Sequence, residues 1–282
     1  MKWPVLAALT LALLANNVSA GEVSKKKHCQ AGELKCVHHV VKEMSKRFKK
    51  LAKSCSHDAI FSLVYLRTTE VYGETAESIG YDDVSSITRE DALFADYYFR
   101  AYDSYHSGKK HHGKKNHGKK NHGKKGKKED VAVPLAWKIA FDAAEARSVT
   151  ASGNALLGIN AHIQRDLPFT LYELYLQGNP VSYEDHTLVN EFLAQVDSAD
   201  EIIQDFDPTY PKGGDSSGIF YWRELAWQNY VALRDAPNEE ARAIVASGIE
   251  FQAAQAAAYF AATTAYPVGT DSSERDAYCA AN

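Results

Sequence analysis

Beyond residue 20 the chain has no apolar run long enough to cross a bilayer, which takes about 20 consecutive apolar residues. That absence excludes a transmembrane helix from the body of the chain. There is no Cys-x-x-Cys pair, so a metal reading of the four cysteines has nothing to rest on. No Gly-x-Ser-x-Gly elbow, Walker loop, Gly-x-Gly-x-x-Gly turn or His-Glu-x-x-His helix is present, and no cysteine sits in a nucleophile context. Convincing strand alternation is missing too. No glycosylation sequon follows residue 20, since the only one is Asn17-Val18-Ser19.

What is present begins with Lys2, the apolar run Val5 to Leu14, and the small residues Val18-Ser19-Ala20. That order is the n-, h- and c-region pattern of a secretory signal peptide. It predicts cleavage after Ala20, a mature chain of 262 residues (282 − 20) starting at Gly21, and a secreted, extracellular protein. The run is too short to serve as a membrane anchor. In an exported protein the even number of cysteines, Cys29, Cys36, Cys55 and Cys279, suggests disulfides. Cys36 and Cys55 stand at opposite ends of one helical pattern, roughly 28 Å apart at 1.5 Å per residue, which disfavours joining them. Two pairings stay open, with Cys29–Cys36 plus Cys55–Cys279 preferred.

The net charge of −4 hides an uneven distribution. Residues 21–55 hold ten Lys/Arg against three acids, and residues 108–128 hold ten Lys and no acid. The rest of the mature chain holds 11 Lys/Arg and 33 acids, so an acidic body carries two basic segments. The second segment repeats every five residues, as in Gly113-Lys-Lys-Asn-His and Gly118-Lys-Lys-Asn-His, without an apolar residue. Such a stretch has nothing to bury against its ordering entropy, so a disordered surface loop is expected. Its lysines suit an anionic surface or a polysaccharide, and His111, His112, His117 and His122 suit loosely held metal ions. The segment has no interleaved aromatics, so neither base stacking nor sequence-specific nucleic-acid binding is expected.

The remainder reads as helices. Leu34, Val37, Val40, Val41, Met44, Phe48 and Leu51 recur at three- and four-residue spacing. Further helices are expected over Ala59 to Val71, from a capping box at Thr88-Arg-Glu-Asp91 through Tyr105, and from Pro134 to near Gly153. Asn154 to Arg165 should follow and be broken at Leu167-Pro168. The last four should span about 168–177, 183–205, 217–235 and 238–264. The expected fold is all-α, a single domain over 21–282 of eight or nine helices interrupted at 108–128.

Chemistry concentrates in Gly158-Ile-Asn160-Ala-His162-Ile-Gln-Arg165-Asp166-Leu-Pro168. His162 and Asp166 are four apart and share a helix face, a spacing that suits a shared metal or a carboxylate orienting an imidazole. The plainer reading makes Asp166 a helix cap and His162 a satisfied core histidine.

The same segment resembles the signature of an uncharacterised domain-of-unknown-function family, labelled fifty-nine ninety-five. Ala59-Ile-Phe61-Ser-Leu-Val-Tyr65-Leu-Arg67, Phe94-Ala-Asp96-Tyr-Tyr-Phe99, Asp185-His186-Thr-Leu-Val189-Asn190 and Arg223-Glu224-Leu-Ala-Trp227 agree with it in order. The resemblance implies a helical domain and no established activity, and the basic repeat is an insertion relative to it. More distantly, the chain is similar to zinc-dependent phospholipase C and the related single-strand nucleases. His162-x-x-x-Asp166 matches their first ligand pair. His186-x-x-x-Asn190 departs from the second by an Asn for an acid. Gly21 stands where their N-terminal ligand would be, usually Trp, and Tyr172 where a further His would fall. What this likeness implies is one or two metal ions, zinc foremost, held by His162, Asp166, His186 and Asp96 or Glu70, with Asn160 beside them. Zinc would lower the pKa of a bound water and supply a nucleophile.

Two functions of different class follow. One is a secreted metal-assisted hydrolase, phosphoester-type, with His162, Asp166, Asn160 and His186 at its centre. The other is a non-enzymatic helical protein whose 108–128 loop binds polyanions or metal ions. Deleting residues 108–128 should leave the melting temperature nearly unchanged and abolish salt-sensitive retention on heparin. A large fall in melting temperature would show the segment packed on the body. Unchanged retention would assign binding to residues 21–55.

Overall fold

Apolar residues at helical spacing set the architecture. The computed structural model describes residues 22–112, 132–194, 196, 203–204, 206–210 and 217–282, with backbone only at 108–112 and 217. These form α1 (Lys27–Gln30), α2 (Lys35–Lys53), α3 (Ala59–Thr75), α4 (Val84–His112), α5 (Leu135–Ala146), α6 (Ala151–Asn160) and α7 (Leu167–Leu176). They continue with α8 (Tyr183–Leu193), α9 (Ser217–Asp235), α10 (Glu239–Thr263) and α11 (Ser273–Ala281). The described residues are all-α, and their one β element is an isolated bridge between Val149 and Ala265. Two short helices, α1 and α11, are additions to the expected set. The expected signal peptide lies outside the described residues, and so does the basic repeat from residue 113.

Several boundaries differ from the expected ones, each for a local reason. Helix α4 starts at Val84, because the Asp83 side chain accepts the Ser85 N–H at 2.9 Å. Thr88 therefore lies inside the helix, where its hydroxyl meets the Tyr72 hydroxyl at 3.0 Å. At its other end α4 runs on to His112, so the first residues of the basic repeat continue a helix. Helix α5 stops at Ala146, well before Gly153, because Arg147 turns left-handed at φ 51°. The Thr150 side chain then caps α6 by accepting the Gly153 N–H. Of the expected 183–205 helix, Tyr183–Leu193 is one helix and residues 203 and 204 are again helical.

The largest departure is at Pro168. The expected break does not occur: α6 passes through a π turn, Ala161–Asp166, directly into α7. A proline ring normally collides with the carbonyl four residues back. The widened turn before Pro168 gives the ring room, so residues 151–176 run as one central helix, about 39 Å long at 1.5 Å per residue. It is walled by α3, α4, α5, α9 and α10. Leu157, Ala161, Leu167 and Leu171 are fully buried, and so are Asn160, Asp166 and Thr170. None of residues 151–174 is exposed, so this stretch has no solvent face on which to leave polar groups.

The cysteines pair as Cys29–Cys36 and Cys55–Cys279. The first ties α1 to the start of α2, and the second fastens α11 to the loop after α2.

Gly158 sets the approach of α3 to the central helix. A Cβ built there would lie 2.3 Å from the Phe61 ring, far inside contact distance. Gly158→Ala should therefore lower the melting temperature by several degrees, through overpacking of order 1–3 kcal/mol. A neutral effect in thermal unfolding would show that Phe61 has room to move.

Candidate functional site

The π turn puts His162 and Asp166 on one side of the central helix, deep in the core. His162 Nδ1 lies 3.1 Å from Asp166 Oδ2. That oxygen also accepts the indole N–H of Trp137 at 2.8 Å, while Oδ1 accepts from Arg165 at 3.0 Å. Arg165 in turn is paired with Glu250 of α10 at 2.7 Å. Because the indole can only donate, Asp166 Oδ2 is an acceptor, and His162 Nδ1–H donates to it. The other ring nitrogen, Nε2, is therefore the lone-pair nitrogen. It is buried and has no hydrogen-bond partner among the described residues. Burial lowers the pKa of His162 and outweighs the opposing pull of Asp166, so the ring is neutral near pH 7.

Aromatic rings fix the imidazole. Phe94 stacks on it with ring centres 3.4 Å apart, and Tyr65 meets it edge-on at 4.4 Å. These side chains border a cleft of about 120 Å³ between α3, α4, the central helix, α8 and α9. Its walls are mostly apolar, including Phe61, Val64, Ile87, Ile159, Val189 and Phe192. Against that background stand His162, Tyr65, Glu90, Asp91 and Arg223. His162 Nε2, the Tyr65 hydroxyl, Glu90 Oε2 and Asp91 Oδ2 are all buried with no partner among the described residues. Buried polar atoms are ordinarily paired, so four unpartnered ones around one cleft make it the candidate site.

The carboxyl groups there are strongly perturbed. Burial pushes Glu90 up to about 7, eased by Arg223 and reinforced by Asp185. Burial pushes Asp91 up to about 8, with Glu90 adding to it. Burial also raises the Tyr65 hydroxyl well above its ordinary range, so it remains a donor.

The other residues singled out from the sequence sit elsewhere. Asn160 and Gln164 form a brace: Gln164 Nε2 donates to Asn160 Oδ1 at 2.7 Å, and Asn160 Nδ2 donates to the Ala253 carbonyl at 3.0 Å. Asp96 holds the N-terminal segment, its two oxygens accepting the Val23 and Ser24 N–H groups at 2.9 and 2.8 Å. His186 is occupied at both nitrogens, by the Arg223 carbonyl at 3.2 Å and the Arg223 guanidinium at 3.3 Å. Burial and then Arg223 hold its pKa well below normal. Glu70 is paired with Arg67 on its own helix. Among the described residues no three His, Cys, Asp or Glu side chains gather closely enough to hold a metal ion. The expected zinc set is thus not assembled there: Asp96 and His186 spend their ligand atoms on backbone and guanidinium instead.

Tyr65, Glu90, Asp91 and Arg223 were not among the expected site residues. Tyr65 and Arg223 belong to segments that carried the family resemblance. Glu90 and Asp91 fell inside a pattern that reads equally well as a helix cap.

Fold and site together define an all-α protein with a buried His–Asp pair beside a mainly apolar cleft. No helix among the described residues is long and apolar enough to cross a membrane. The chain belongs to the family of unknown function DUF5995, which matches residues 37–115 and 122–263. The gap in that match falls within the basic repeat. No curated protein and no solved structure matches the chain significantly.

The raised carboxyl values carry a pH signature. An acid whose pKa rises on folding binds more protons in the native state, so stability falls as pH climbs from its unfolded to its folded value. For Asp91 that window runs from 3.8 to about 8, and the penalty is complete above it. Asp91→Asn should raise the melting temperature more at pH 8.5 than at pH 5. Equal shifts at both pH values would show that Asp91 titrates normally.

Proposed function

We propose that this protein is a secreted hydrolase that uses His162 as a general base. The carrying observation is the His162–Asp166 pair, whose Nδ1–H is fixed and whose Nε2 is left unpartnered on a cleft-lining residue. The signal-peptide pattern and the two disulfides support the extracellular compartment. The apolar walls favour an ester of an apolar acid over a phosphoester, for which the described residues gather no metal site.

In this reading Nε2 removes a proton from a water in the cleft, and the water oxygen bonds to the ester carbonyl carbon. The Tyr65 hydroxyl donates to the developing oxyanion. As the carbon–alkoxide bond breaks, Asp91, protonated near neutral pH, gives its proton to the leaving oxygen. The proton on His162 then returns to Asp91, leaving acid, alcohol and the original protonation states. Asp166 is a positioning residue: it holds the tautomer that leaves a lone pair on Nε2.

Wild-type protein should hydrolyse p-nitrophenyl esters of short and medium-chain acids. His162→Gln keeps a donor toward Asp166 and so keeps the brace. It should lower kcat by about 10²–10⁴ with little change in melting temperature. Asp166→Asn should lower kcat and shift the acid limb of the pH–rate profile. Full activity in His162→Gln, or an inactive wild type, would end the proposal.

A further inference from the structure

The far wall of the cleft carries a buried cation whose charge the hydrolytic reading does not use. Arg223, on α9, is 5% exposed and lines the cleft. Its Nε donates to Asn190 Oδ1 at 3.0 Å, and one terminal nitrogen donates to the His186 carbonyl at 2.7 Å and meets His186 Nδ1 at 3.3 Å. These partners are neutral. Among the described residues no carboxylate lies within ion-pairing distance of this guanidinium, whereas Arg47, Arg165 and Arg275 all have one. The nearest acids are instead left incomplete: Glu90 Oε2, across the same cleft, has no partner. The Tyr81 hydroxyl, which feels both Glu90 and Arg223, has none either. A buried guanidinium beside vacant acceptors, walled by Val189, Phe192, Leu193 and Ile219, is costly unless something else supplies the counter-charge.

We infer that Arg223 is the anion subsite of this cleft, and that the natural ligand is a largely apolar molecule bearing one carboxylate. This deepens the hydrolase reading by naming its substrate class, an ester or acyl compound with a free carboxylate. The choice of a monoanion follows from the local charges. With Nε and one terminal nitrogen already engaged, the remaining terminal nitrogen can donate to a single carboxylate. A phosphate dianion would face Glu90 with only one cation in the cleft to offset it. The apolar walls favour an aliphatic chain over a polar one.

Because Glu90 and Arg223 line the same cleft, the subsite has a pH dependence. The groups that face or feel Glu90 are Arg223 from α9, Asp185 from α8, Asp91 beside it on α4, and the Tyr81 hydroxyl before α4. When Glu90 is protonated, Arg223 is free to take the ligand's charge. When Glu90 ionises, it competes for the guanidinium and repels the ligand.

The test is calorimetric titration of the full chain with octanoate, octanol and octyl phosphate at pH 6 and pH 8. Octanoate should bind at least tenfold more tightly than octanol at pH 6 and lose most of that advantage at pH 8. Octyl phosphate should bind more weakly than octanoate. Arg223→Gln should abolish the preference for octanoate while octanol binding persists. If that variant fails to fold, Glu90→Gln carries the test, because it leaves Arg223 and its partners in place. There the octanoate preference should persist at pH 8. Equal binding of octanoate and octanol in wild type and in Glu90→Gln, or no binding of either, overturns the subsite. Tighter octyl phosphate overturns the carboxylate assignment. His162→Gln should keep the preference while losing hydrolysis. Ester hydrolysis without any octanoate preference would therefore sink the subsite alone, and the preference without hydrolysis would sink the hydrolase reading alone.

Discussion

Asp166 is a fully buried carboxyl group on a helical stretch without an exposed residue, and the arrangement of its surroundings follows from having to satisfy it. One oxygen takes Trp137 from α5 and His162 from its own helix, and the other takes Arg165. Arg165 then needs a second acid, which α10 provides as Glu250. Three elements are thus locked together by one carboxyl group. Removing Arg165 leaves Oδ1 unpaired, a loss of about 1–3 kcal/mol or more where charge is involved, while Oδ2 keeps one donor if Trp137 or His162 is lost. A chain that needed only a packed core would place leucine there, so a polar residue at this depth asks for a reason beyond stability.

The π turn supplies part of that reason. Turns of this width inside α-helices recur at functional sites. Here it carries His162 and Asp166 at its two ends while letting Pro168 continue the helix rather than stop it. The turn holds the imidazole between the Asp166 carboxyl group and the face of Phe94. Gly158, one turn earlier, admits the Phe61 ring, which also borders His162 and the cleft. The Gly158 to Pro168 segment is therefore one device: close approach of α3, a fixed ring, and a helix that does not break.

Periodic features were readable from the sequence. The apolar stripe from Val37 to Leu51 gave α2, and the same logic gave α3, α9 and α10 within a few residues. The separation of Cys36 from Cys55 along α2 agrees with the observed pairing. The His162–Asp166 contact was legible because both residues lie on one helix, where spacing fixes geometry. What escaped was non-local. Whether Asp96 or Asp91 meets the cleft depends on the rotation of α4 against four neighbours, and no spacing rule encodes that. The four-residue pattern at Thr88 satisfied a capping rule, so its two acids looked explained when they were not. Pro168 misled for a related reason: the penalty for proline assumes a regular turn before it.

His162 and His186 are equally buried and differ in the disposition of their two nitrogens. His186 is as buried as His162, but both of its nitrogens face Arg223, and they join α8 to α9. That is how a brace is built. His162 spends one nitrogen on a carboxyl group that is itself held by two other donors, and leaves the second with no partner. A brace has no use for the unspent nitrogen, whose desolvation costs free energy without return. The same asymmetry recurs in Glu90 and Asp91, each with one orphaned oxygen on the same cleft. Three groups with unpartnered buried atoms around one cleft are costly, and a ligand that completed their bonds would offset that cost.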